Sequence, residues 1–84
     1  MSIEAYCWAL DQTTGHPILK AVLVALADHA DQDCMAGASK QYISELTEVP
    51  LDKVEQAINR LEKAGFLKVL PSGVRLMVPQ ERMF

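Results

Sequence analysis

With 84 residues, the chain has room for one small domain over residues 1–84, and a chain of that size buries only about 60–65% of the surface its unfolded state exposes. Half of the residues are apolar, 23% are charged, and glycine and proline number four each, a balance that excludes disordered, collagen-like and low-complexity chains. The net charge is −3, without the basic excess expected of a nucleic-acid binder. The longest apolar run, Ala21 to Ala27, has seven residues, where a membrane span needs about 20. Met1-Ser2-Ile3-Glu4 lacks the basic start of a secretory signal. The expected setting is therefore the cytoplasm of a bacterium, with no membrane partner. Cys7 and Cys34 have no paired spacing and read as small buried apolar residues rather than a disulfide or a metal pair.

Ile3, Tyr6, Cys7 and Leu10 recur at helical spacing behind Ser2, a suitable N-cap. This predicts a short first helix with those four facing inward. Trp8 falls off the stripe and either packs in the core or stands out as a contact residue. Asp11 to Gly15 is a polar break, and Pro17 sits where a first helical residue belongs. Ile18, Leu19, Val22, Leu23, Leu26 and Ala30 then mark a central, buried helix. Residues 31–38 read as one long loop. Ser39 caps a helix over Lys40–Thr47, with Ile43 and Leu46 inward, and Glu48-Val49-Pro50 breaks it.

A longer helix follows over Leu51–Ala64, with Val54, Ala57, Ile58 and Leu61 inward and Gly65 as its left-handed stop. The period then changes from 3.6 to 2. Residues 66–70 and 74–78 read as two strands joined through Pro71-Ser72-Gly73, with Lys68 and Arg75 on the solvent face. Pro79 stops the second strand, and residues 79–84 form a tail. Three to four helices followed by a two-stranded hairpin is the order of a winged helix-turn-helix, an α+β and mostly helical fold. Its helix-turn-helix would span residues 40–64 and its wing residues 66–78.

Trp8-Ala9-Leu10 and the stretch Lys20 to Asp31, with Leu26-Ala27-Asp28-His29-Ala30 its most specific part, carry a family likeness. It continues through Ala38-Ser39, Ile43, Leu46-Thr47, Val54, Ile58, Leu61-Glu62 and Gly65-Phe66-Leu67. Over residues 6–70 the chain resembles the winged-helix domains of phage and plasmid replication initiators and related small prophage regulators. Glu48 stands where that family often has Gly in the turn, and Pro50 where Ser or Thr is the usual cap. The resemblance implies DNA binding through the third helix of the winged-helix unit, with control of replication or transcription as the outcome.

Charge is unevenly spread. Residues 1–38 hold one base against five acids, a net of −4, and residues 39–84 hold seven bases against six acids, a net of +1. On a helical wheel for residues 51–64, Asp52, Gln56, Asn59 and Lys63 point away from the Val54–Ile58–Leu61 stripe. Lys53 and Arg60 form one flank, and Glu55 and Glu62 the other. Gln and Asn match the adenine edge in the major groove, so Gln56 and Asn59 are the expected base contacts on double-stranded DNA. Lys53, Arg60 and Lys63 would meet phosphates. Lys40 and Gln41 would anchor a phosphate at the start of the preceding helix, and Lys68 and Arg75 would contact the backbone from the wing.

No catalytic set is legible: neither His16 nor His29 has a nucleophile at a readable spacing. The acidic loop around Asp31 and Asp33 lacks paired Cys or His for zinc, and Ala36 and Tyr42 replace the Gly and Glu of a calcium loop. The expectation is a non-enzyme with no metal and no cofactor. The competing reading is a protein-interaction module of the phage adaptor or inhibitor type. Its acidic amino-terminal half would dock on a basic protein partner through Trp8, Asp28, Asp31 and Asp33. Reading two half-sites about 34 Å apart would require a homodimer, for which Tyr6 and Trp8, or Met83 and Phe84, offer contacts.

Overall fold

The computed structural model describes residues 3–78. Its elements run α1 (Ile3–Asp11), α2 (Pro17–Asp28), β1 (Met35–Ala36), α3 (Lys40–Thr47), α4 (Leu51–Lys63), β2 (Leu67–Leu70) and β3 (Gly73–Leu76). The expected Ser2 cap, the Pro79 stop, the 79–84 tail and the Met83–Phe84 dimer contact lie outside the described residues.

α2 is the axis of the core. Val22, Leu23, Ala25, Leu26 and Ala27 are all buried, and α1, α3 and α4 each pack against it. Pro17 occupies its first turn as expected, and the His16 side chain supplies the cap by accepting from the Ile18 amide at 3.2 Å. α1 inverts the expected stripe. The sides meeting α2 are Ala5 and Ala9, both fully buried, while Ile3 is 72% and Leu10 48% exposed and Cys7 also faces out. The small alanine side chains let the two helices approach closely, which bulky residues on that face would prevent. Of the two cysteines only Cys34 is buried. Trp8 is half-buried, meeting Phe66 edge-on with ring centroids 6.3 Å apart.

α3 and α4 have nearly the expected bounds. The Ser39 hydroxyl accepts from the Tyr42 amide at 3.0 Å, and Ile43 is buried, but Leu46 is exposed rather than inward. An eight-residue helix offers the core only a narrow stripe, which Ile43 fills. The turn is closed by Ser44 Oγ donating to the Val49 carbonyl at 2.6 Å. α4 ends in a Schellman motif: Gly65 N–H donates to the Glu62 carbonyl and Phe66 N–H to the Leu61 carbonyl, with Gly65 at φ 89°.

The wing is one strand larger than expected. β1 lies within the segment read as loop and pairs antiparallel with β3 (Met35↔Arg75, Ala36↔Val74), so the sheet order is β1-β3-β2. The Asp31 carboxylate accepts from the Asp33 and Met35 amides at 2.8 and 3.0 Å, which turns the chain into that strand. Two residues carry too little alternation to be recognised in sequence; β1 exists because β3 offers a free edge. On the other side β2 and β3 form a hairpin with Leu70 and Gly73 flanking a two-residue turn.

A candidate nucleic-acid interface on the fourth helix

α4 follows α3 across a three-residue turn, the arrangement of a helix-turn-helix. Its inner face, Val54, Ala57, Ile58 and Leu61, is buried in the core, which fixes the direction of everything else on the helix. Lys53, Gln56, Asn59, Arg60 and Lys63 are consequently all exposed, as are Lys40 and Gln41 in the first turn of α3. Gln41 lies 3.5 Å from Glu45 Oε2. Lys68 and Arg75 are exposed and directly opposite each other on β2 and β3.

The two flanks of α4 face different neighbours. On the acidic flank, Glu62 Oε2 accepts from the Val69 amide at 3.1 Å, so this side abuts the wing and covers a free N–H on the open edge of β2. On the basic flank, Lys53, Gln56 and Arg60 share a cavity of about 130 Å³ with His16, Ile18 and Leu19 from the start of α2. None of the bases Lys40, Lys53, Arg60, Lys63, Lys68 and Arg75 lies within 4.0 Å of a carboxylate among the described residues, where the one such approach is His29 to Asp28. Exposed cations that have no ion-pair partner among the described residues are available to an external anion.

Sequence reasoning missed the contribution of α2 to this surface. Pro17 marked the helix start, but only the packing of α2 on α4 brings His16 and Ile18 beside Arg60. It also treated the acidic and basic residues as separate faces. Asp33 and Arg75 in fact line one groove of about 280 Å³ beside β3. Asp31 is engaged by two backbone amides, and Trp8 packs on Phe66. Among the described residues no three His, Cys, Asp or Glu side chains come together as a metal site, and no helix is long and apolar enough to cross a membrane.

A family model described as a helix-turn-helix domain matches residues 17–67. The matched span begins at the first residue of α2 and ends at the first residue of β2, so α2, α3 and α4 carry it. No curated protein and no solved structure matches the chain. With more than half of its length matched, the protein belongs to the helix-turn-helix domain family.

Proposed function

We propose that this is a DNA-binding winged-helix protein of a phage, prophage or plasmid, acting in the bacterial cytoplasm to regulate transcription or replication. It reads the major groove of double-stranded DNA with α4. The observation that carries this is the exposed row Gln56–Asn59–Lys63 with Lys53 and Arg60 beside it, on the second helix of a helix-turn-helix. Gln and Asn offer the paired donor and acceptor that adenine presents. Lysine and arginine supply the phosphate contacts that fix register. Lys68 and Arg75 support the same reading, since like charges facing each other across two strands weaken a sheet and are accounted for by an anion between or above them. Two half-sites would be read by a homodimer.

The acidic-face reading has less support. Asp31 is committed to the turn before β1, and Trp8 to Phe66.

Fluorescence anisotropy of a labelled mixed-sequence duplex, repeated across a salt series, tests the proposal. Saturable binding is expected, with log affinity falling against log salt at a slope of about −4 to −5 for five phosphate contacts. Arg60→Ala combined with Lys63→Ala should flatten that slope by about 2. Absence of binding even at low salt sinks the reading.

A further inference from the structure

The cavity between α2 and α4 is unlike the rest of the basic surface because it is concave. Its floor is apolar, formed by Ile18, Leu19 and Ala57, and its rim carries Lys53, Gln56, Arg60 and His16. Among the described residues no carboxylate lines it and neither cation has an ion pair. His16 Nδ1 accepts the Ile18 amide hydrogen at 3.2 Å, which leaves Nε2 as the ring nitrogen that donates. The rim thus offers two cations and two further donors around a volume of about 130 Å³. About 10–15 Å³ of such volume holds one water, so a tetrahedral oxyanion fits with solvent around it. We propose that this cavity is a phosphate site, and that in the DNA complex it seats one backbone phosphate on the side of α4 away from the wing.

The assignment rests on the DNA-binding reading for the source of the phosphate, though not for the chemistry. It also gives the duplex an orientation. The flank bearing Glu62 abuts β2, so a strand tracking the opposite flank runs across the start of α2 and escapes that carboxylate. His16 becomes a contact residue for DNA although it lies outside the helix-turn-helix proper.

The test is amide chemical-shift mapping of the full chain in two arms. One arm titrates inorganic phosphate against sodium chloride of equal ionic strength; the other titrates a mixed-sequence duplex. The proposal expects saturable shifts at the Ile18, Leu19 and Ala57 amides in both arms. The double variant Lys53→Gln, Arg60→Gln should abolish them in the phosphate arm and, with the one seated phosphate lost, flatten the duplex salt slope by about 1. His16→Asn keeps a good helix cap while changing the rim donor, and should weaken phosphate binding at least threefold with the fold intact. If the duplex binds while those three amides stay still and the double variant keeps its slope, the cavity assignment is overturned and the DNA reading stands. If phosphate binds there and the duplex does not, the oxyanion site stands with a small phosphorylated ligand as its source, and the DNA reading fails. If neither binds, both are overturned.

Discussion

Glu48 holds a left-handed backbone (φ 60°, ψ 28°) at the end of α3, a conformation that costs an L-residue about 1–2 kcal/mol. Glycine adopts that conformation without the steric cost, so Glu48→Gly should stabilise the protein by about 1 kcal/mol. For a domain of this size that is a rise of about 4–8 °C in Tm, readable in a thermal melt. The opposite change bears on Gly65 and Gly73. A Cβ on Gly65 meets nothing within 4 Å, so Gly65→Ala pays only for the left-handed backbone at φ 89°, about 1 kcal/mol. At Gly73 the same atom would lie 2.8 Å from the Ala36 carbonyl oxygen. Gly73→Ala must therefore push β1 from β3 and should cost more, about 2–3 kcal/mol. Denaturant midpoints should rank Glu48→Gly above the native chain, then Gly65→Ala, then Gly73→Ala.

Asp31 follows the same logic in side-chain form. Its carboxylate holds two backbone amides, so Asp31→Ala should lower stability by about 1 kcal/mol. Asp33, exposed and only two residues on, should tolerate Asn within about 0.5 kcal/mol. A loss of function in Asp31→Ala alone would therefore report the turn into β1, not a docking surface. Urea denaturation of the two variants side by side decides the matter.

Among the elements, Lys68 and Arg75 form a cross-strand pair of like charge. Lys68→Ser should raise stability by about 0.2–1 kcal/mol by removing the repulsion, and should weaken duplex binding at the same time. Opposite signs in a melt and an anisotropy titration identify residues kept for binding at the expense of the fold; a variant that gains stability and keeps full affinity contradicts a wing contact. The helices were legible because their signals are local. Pro17, Ser39, Pro50 and Gly65 mark their boundaries, and the 3.6 period of Val54, Ala57, Ile58 and Leu61 needs no knowledge of the partner. α1 was misread because alanine carries almost no hydropathy contrast. Its true inner face, Ala5 and Ala9, is chosen by how closely α2 must approach. β1 was invisible because a two-residue strand is defined by the edge it pairs with. The outward row of α4 followed directly from its inner stripe, whereas the cavity with His16 depends on long-range packing that no spacing encodes.

At the scale of the whole molecule the question is how a chain of net charge −3 approaches a polyanion. Distance and screening decide it. At physiological salt the Debye length is about 8 Å, against about 30 Å at 0.01 M, while the described residues extend 42 × 27 × 20 Å. Asp28 lies at the far end of α2 from the cavity, eleven residues and about 16 Å along the helix axis from Pro17. Its charge is screened from a phosphate bound at the basic flank at physiological salt and felt at 0.01 M. Asp52, in the first turn of α4, shares the outward row with Gln56 and has no such shelter. Two unit charges about 4 Å apart in water exchange about 1 kcal/mol, so Asp52→Asn should tighten duplex binding by about fivefold at 150 mM salt. The same change should lower stability by about 0.3–1 kcal/mol, because the acid favours the positive start of the helix. Asp28→Asn should leave affinity at 150 mM unchanged and raise it only at 10 mM. Equal gains from both variants at both salt concentrations would contradict a duplex lying along α4 beside Asp52 and away from the far end of α2.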